Sequence, residues 1–252
     1  MDRREALFRY ALRLGDDSLV LGQRLGEWSG EAPSLELDLA LSNLALDLIG
    51  QATHFLGYAG EVEGKGRTGD TLAFHRDVLD YANCLLVEQP NGDFARTIAR
   101  QFLFSLWRKG YFEALRGSSD TCFAGVAKKA VKETAYHLRL SSEWMVRLGD
   151  GTAESRQRVT EGLDWCWRFV DELFEVDEVT RVLVAEGVAP DPAALRAPFD
   201  VEVDAVLAHA TLVRPAARRG VSGGRSGHHS EHLGHLLAEM QFLPRAYPDA
   251  EW

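Results

Sequence analysis

The sequence predicts an all-α protein, a bundle of about eight or nine helices joined by short breaks. Three observations carry this prediction. Apolar residues recur at helical spacing along most of the chain. The longest Leu-rich segment, residues 35–58, alternates at first like a strand but is about four times the usual strand length and has few β-branched residues. Breaks rich in Gly, Pro and Asn separate the helical segments, and long helices with short connections pack as antiparallel neighbours.

The first part of the chain contains three predicted helices. The first covers residues 4–28, with an irregularity expected at Gly15-Asp16-Asp17. The second covers 35–58 and is apolar nearly all round, which indicates a central position in the bundle. A glycine-rich turn is expected over 57–69, and a helix follows from residue 70 or 71 to about residue 88.

Two long helices are predicted in the middle of the chain. Gln89-Pro90-Asn91-Gly92 is a strong breaker, and Asp93 is the predicted N-cap of a helix that reaches about residue 115. The next helix covers about 122–148 and ends at Gly149-Asp150-Gly151.

Four shorter helices are predicted after residue 151. They cover 152–174, 177–186, 190–212 and 230–243. Gly187 is a C-cap signal for the second of them, and Pro190-Asp191-Pro192 starts the third. The Gly- and Arg-rich segment 214–227 is predicted to be a flexible loop, and it lies too close to the C-terminus to divide two cores. We therefore expect one domain over residues 1–252.

Charge, composition and segment pattern argue against several classes of partner and location. The formal net charge of −10 and the pI near 5.3 disfavour nucleic acid and anionic membranes. The charged N-terminus does not resemble a signal peptide, and no segment reaches the ~20 apolar residues that span a bilayer. Three scattered cysteines fit buried, reduced thiols. A cytoplasmic protein is expected.

Helical bundles often hold a di-iron site, in which two helices each supply a Glu-x-x-His pair. No Glu or Asp of this chain is followed three residues later by His. Glu133 precedes His137 by four residues instead. This spacing keeps both on one helix face but departs from the di-iron signature.

Several strings resemble the C subunit of phenylacetyl-CoA epoxidase, and the resemblance covers about residue 6 to Trp252. They are RLGDDSLVLGQRLGEW, LDLALSNLALDLIGQATHFLGYAG, LLVEQPNGDFARTIARQF, KETAYHLRLSSEWMVRLG and EHLGHLLAEMQFL. The resemblance implies a ferritin-like bundle with additional C-terminal helices, a fold shared with the catalytic A subunit. In that family the di-iron centre belongs to the A subunit.

Comparison with the A subunit shows which ligands are missing. Its first Glu-x-x-His lies in an Asp-Glu-x-Gly-His string, where this chain has Leu48 in place of the glutamate and Gln51 in place of the histidine. Its second lies in Lys-Glu-Glu-x-Phe-His, where Thr134 replaces the glutamate and His137 remains. The resemblance therefore implies a vestigial centre and no cofactor in this chain.

The function implied by the resemblance is that of a structural, non-catalytic subunit. It stabilises the A subunit in a complex that uses O2 to form the ring 1,2-epoxide of phenylacetyl-CoA in aerobic phenylacetate catabolism. The A subunit is the expected partner, other epoxidase subunits are further candidates, and contact with the CoA ester stays open. Helices 35–58 and 97–115 are the candidate contact surfaces.

Two alternatives remain at this point. In the first, the chain is itself a metal-binding oxygenase, which uses either His137 and Glu133 or a C-terminal cluster of His232, His235 and Glu239. In the second, it is an unrelated helical scaffold. The non-metal interpretation of the C-terminal cluster is a polar helix face packed against a partner. The basic loops 65–67 and 214–225 are either phosphate contacts for CoA or solvated linkers.

Overall fold

The computed structural model describes residues 1–216, 219–248 and 250. This part of the chain contains α-helices, short 3-10 turns and no β-strand, so the predicted all-α class is confirmed. The α-helices are α1 (Arg3–Gly26), α2 (Leu35–Glu63), α3 (Gly69–Phe74), α4 (Leu85–Glu88), α5 (Phe94–Leu115), α6 (Thr121–Gly149), α7 (Ala153–Trp167), α8 (Glu178–Ala185), α9 (Arg196–His209), α10 (Glu231–Met240) and α11 (Phe242–Ala246).

The chain forms two compact units. Unit 1 comprises Met1–Pro90 and Ser222–Trp252, and unit 2 comprises Asn91–Val221. Each is described below by itself, and the expectation of one domain over residues 1–252 stays a prediction.

The paired helices α1 and α2 form the largest part of unit 1. The irregularity expected at Gly15-Asp16-Asp17 is wrong, because α1 continues unbroken through these residues. Gly15 has a packing role in the helix, since a Cβ there would lie 2.7 Å from Leu56 Cδ2 of α2. The close approach of α2 therefore offsets the low helix propensity of glycine.

The glycine-rich turn begins later than expected. Helix α2 continues through Gly57 and Gly60 and ends at Glu63, where Gly64 takes a left-handed conformation with φ of 66°. A Cβ at Gly60 would overlap the carbonyl oxygen of Arg67, so this glycine lets the turn fold back onto the helix.

The single helix expected over residues 70–88 is wrong. Helix α3 ends at Phe74, a 3-10 turn covers Val78–Asp80, and α4 covers only Leu85–Glu88. Between these pieces the backbone N–H groups of Ala82 and Cys84 donate to aspartates of α1 rather than to helical carbonyls. Tertiary hydrogen bonds therefore replace the helix here.

In unit 2, α5 packs against α6 and α7. The predicted helices 93–115 and 122–148 are confirmed as α5 and α6, and Asp93 caps α5 by accepting from the Arg96 N–H at 2.9 Å. The helix predicted to reach residue 174 stops at Trp167, and a separate 3-10 turn covers Asp171–Phe174. Just after the end of α7, the Arg168 carbonyl accepts a hydrogen bond from the Val221 N–H at 2.8 Å.

The predicted last helix is divided into α10 and α11. The segment 214–227 contains a 3-10 turn at Gly224–Ser226, and its Ala217 and Arg218 lie outside the described residues. Its flexibility stays a prediction.

Candidate functional site

Leu48 and Gln51 lie one turn apart on the inward face of α2. They are 2% and 3% exposed, so both positions belong to the interior of the protein. A leucine offers no ligand atom, and the Gln51 amide is neutral. Helix α2 thus places two side chains inward without supplying a charge.

Thr134 and His137 form the corresponding pair on α6, and each is 2% exposed. The Thr134 hydroxyl donates to the Ala130 carbonyl at 2.7 Å, so its proton is used within its own helix. Glu133 pairs with Lys129 at 3.5 Å. His137 is therefore the one side chain of this pair that commonly binds a metal.

The donor set does not suit a pair of iron ions. The two pairs of positions together offer one imidazole, one amide and one hydroxyl, and none of these is an anion. Iron in such bundles is held by several carboxylates, and buried cations without them lack charge compensation. The pairs belong to different units, and their convergence on one pocket stays a prediction.

The C-terminal histidines have unequal environments. His228 and His235 are exposed, as is Glu239, whereas His232 is half-buried. The side chain of His229 is only 1% exposed and points into unit 1. In the described residues, no three His, Cys, Asp or Glu side chains are placed to hold one metal ion.

A buried ionic network in unit 1 is not predicted by the sequence. Asp16 pairs with the guanidinium of Arg76, and Asp17 pairs with that of Arg225 at 2.8 Å. Both aspartates are fully buried, and each also accepts a backbone N–H, from Ala82 at 2.9 Å and from Cys84 at 2.8 Å. Two carboxylates of α1 thereby hold the irregular segment before α4.

The second part of this network centres on Glu88 of α4. Its carboxylate accepts from the Asn83 amide at 2.8 Å and from the Ser230 N–H at 2.6 Å, and it lies 2.7 Å from His229 Nδ1. Arg24 of α1 donates to the Glu88 carbonyl at 3.0 and 3.2 Å. The network therefore ties the C-terminal segment to both α1 and α4.

One sequence signal points to this network without identifying it. Asp16 and Asp17 are adjacent acids in an otherwise apolar helical pattern, which indicates either a break or buried charges. Their partners are distant in sequence, so only the folded chain shows that the second alternative applies.

Comparison with known proteins identifies the family. The family model described as phenylacetic acid catabolic protein matches residues 1–252. The chain belongs to this family. It is also 51% identical over 246 residues to a protein of Escherichia coli (strain K12) that is named as the C subunit of 1,2-phenylacetyl-CoA epoxidase, and the match covers 98% of this chain and 99% of that protein.

This match confirms the resemblance drawn from the sequence strings. Members of the phenylacetic acid catabolic family have a ferritin-like helical fold, in agreement with the all-helical structure. The match extends over nearly the whole chain rather than over a single segment.

The basic loops of this family member have carboxylate partners within the chain. Glu63 pairs with Arg67 and lies 3.4 Å from Lys65 Nζ. Arg214 pairs with Asp204 at 2.7 Å. Carboxylates therefore offset the charges of Lys65, Arg67 and Arg214, and Arg225 belongs to the buried network. Contact of these loops with a CoA ester stays a prediction.

The cysteines are thiols rather than disulfides in the described structure. Cys84 and Cys166 are buried, as predicted, whereas the prediction of burial is wrong for Cys122, which is half-buried. Burial raises the pKa of the Cys166 thiol to about 12, which keeps it protonated and unreactive at neutral pH. Among the described helices, none is long and apolar enough to cross a membrane.

Proposed function

We propose that this chain is the C subunit of a phenylacetyl-CoA epoxidase and acts as a structural, non-catalytic partner that stabilises the di-iron A subunit. The observation that carries the proposal is the chemistry of the four inward positions Leu48, Gln51, Thr134 and His137, which are buried and carry no carboxylate. The Escherichia coli relative, named as a C subunit, supports the place in the complex. The cytoplasmic location stays a prediction.

The surface of α2 offers a contact face for such a partner. Leu35, Leu39 and Leu46 are 72%, 58% and 68% exposed, although leucine is favoured in protein interiors. Their spacing of four and seven residues places them on one side of the helix. We call these three leucines, with Gly50 and Gly57 on the same side, the α2 stripe.

The two glycines of the α2 stripe favour contact with another chain. Each costs about 1 kcal/mol relative to alanine in a helix interior. Unlike at Gly15, a Cβ added at either position meets no atom of the described chain within 4 Å. Glycines at such positions allow the backbone of a neighbouring element to approach closely.

Helix α5, the other candidate contact surface, is less suitable. Nearly all of its residues from Ala95 to Arg108 are buried within this chain, and exposed or half-exposed positions occur mainly near its C-terminal end. We therefore assign the main partner contact to the α2 stripe rather than to α5.

The experiment is a stability measurement on the A subunit. The purified A subunit is heated alone and with an excess of this chain, and its unfolding is followed through the absorption of its iron centre. A chain that binds the native A subunit stabilises it by about 2.7 kcal/mol when present at 100 times its dissociation constant. An A subunit that has the same midpoint and the same activity with and without this chain contradicts the proposal.

The metal-binding alternative is tested in the same preparation. Purified chain is incubated anaerobically with Fe(II), passed through a chelating column and assayed for iron. Stoichiometric iron together with O2 consumption on phenylacetyl-CoA by the chain alone favours the alternative, and iron confined to the A subunit favours the structural role.

A further inference from the structure

The His229 ring makes two hydrogen bonds in the interior of unit 1. Its Nδ1 lies 2.7 Å from Glu88 Oε2, and its Nε2 lies 2.9 Å from the Tyr81 carbonyl oxygen. A carbonyl oxygen can only accept, so Nε2 carries a proton. The protonation state of the ring then depends on whether Nδ1 donates to Glu88 or accepts from it.

The surroundings of Glu88 favour an ionised carboxylate. Its side chain is fully buried, Oε1 accepts from the Ser230 N–H, and Oε2 accepts from the Asn83 amide. Donors directed at both oxygens stabilise the anion, and a neutral acid would have to turn one of these oxygens into a donor. With Glu88 ionised, Nδ1 donates, and His229 is an imidazolium.

The other charged groups near the pair interact with partners other than the Glu88 carboxylate. Arg24 reaches the Glu88 backbone carbonyl rather than its carboxylate. On α1 and the segments that pack against it, the other buried charges include Arg13 and the pairs Asp16 with Arg76 and Asp17 with Arg225. His229 is therefore the cation in contact with the Glu88 carboxylate.

We propose that the buried imidazolium–carboxylate pair of His229 and Glu88 holds helix α10 on the rest of unit 1, so that loss of one proton as the pH rises loosens this helix. Breaking a buried ion pair by removing one charge is strongly destabilising, because the other charge stays buried without compensation. Deprotonation of His229 removes the charge in this way. Helix α10 then exposes the apolar side chains of Leu233, Leu236 and Leu237, which are buried while the pair is intact.

The electrostatic surroundings determine the direction of the pH dependence. Burial acts to lower the pKa of His229, but the hydrogen bond and the charge of Glu88 outweigh it, and the pKa is raised above its ordinary value of 6.5. A raised folded-state pKa gives stability that is complete below pH 6.5 and is lost as pH rises through the folded-state value. The charge of Asp16 acts in the same direction as that of Glu88. The other titratable and charged groups on α1, α4 and the adjoining segments include Arg13, Asp17, Arg24, Arg76, Tyr81, Arg225, His228 and His232.

The direct test is an NMR titration of the wild-type chain with labelled histidine rings. We expect the His229 ring to carry two N–H protons at low pH and to lose one with a midpoint above its ordinary value of 6.5. A midpoint at or below 6.5, or a ring that never carries two N–H protons in the folded chain, overturns the proposal. This measurement needs no variant, so it stands even if a substitution at the site prevents folding.

Amide hydrogen exchange tests the loosening of α10. Protection factors, corrected for the intrinsic pH dependence of exchange, should fall in α10 by about tenfold per pH unit above the His229 midpoint and stay constant in α6. His229→Gln should give low and pH-independent protection in α10, whereas the exposed neighbour variant His228→Gln should behave as wild type. Constant protection of α10 across the His229 titration contradicts the proposal.

Discussion

Substitution of Leu46 separates binding to a partner from stability of the chain. Leu46 is 68% exposed at the centre of the α2 stripe, so little of its side chain packs within the chain itself. Complete burial of a leucine contributes about 1.5–3 kcal/mol. The part of Leu46 that is still exposed therefore contributes about 1–2 kcal/mol when a partner covers it.

Two variants give graded effects on binding. Leu46→Ala should weaken binding to the A subunit by about 5- to 30-fold, the equivalent of that free energy. Leu46→Glu should weaken it by more than about 100-fold, because the carboxylate must also lose its hydration in an apolar contact. Neither change should alter the free energy of unfolding of the free chain by more than about 0.5 kcal/mol, since exposed positions tolerate substitution.

Leu79→Glu is the matched control. Leu79 is 78% exposed and lies in the 3-10 turn of the same unit, outside the α2 stripe, so the variant introduces the same charge at a similar exposure. Titration calorimetry with the A subunit gives the dissociation constants, and chemical denaturation gives the stabilities. If Leu46→Glu binds as wild type while Leu79→Glu binds weakly, the assignment of the contact to α2 is refuted.

Three further predictions concern the inward positions, the glycines and the buried network. Gly50→Ala should stabilise the free chain by up to about 1 kcal/mol in urea unfolding but weaken its complex with the A subunit; a tighter complex would show that no backbone approaches there. Asp17→Asn should lower the free energy of unfolding by about 3 kcal/mol, because its arginine partner keeps a charge in a mostly buried site, and a loss below about 1 kcal/mol would mean that water screens the pair. The triple variant Leu48→Glu, Gln51→His and Thr134→Glu should bind Fe(II) that the wild type does not retain; failure of the folded variant to bind iron, measured by metal analysis, would argue against convergence of the two pairs.

The helices that can be predicted from the sequence are those determined by local signals. Helix α5 begins where Asp93 caps it, and α6 has strong amphipathic spacing, so the sequence predicts both to within a residue or two. The segment after Thr68 cannot be predicted in this way. Its helical pattern is overridden by hydrogen bonds from Ala82 and Cys84 to aspartates that lie 66 and 67 residues earlier in the chain.

The candidate site shows the same division between local and distant determinants. The four positions on α2 and α6 follow from the family resemblance alone, and the structure shows that they are buried. The sequence also indicates a C-terminal histidine cluster. It cannot show that His229 turns inward, because the partner of this residue, Glu88, lies 141 residues away.

The most direct test of the structural role is an iron analysis of the separated subunits after both have been purified from the active complex. The account predicts that iron remains with the A subunit and that this chain carries no stoichiometric iron and has no O2-dependent turnover of phenylacetyl-CoA by itself. Iron that stays with this chain after chelation, together with epoxide formation by the chain alone, would contradict the account.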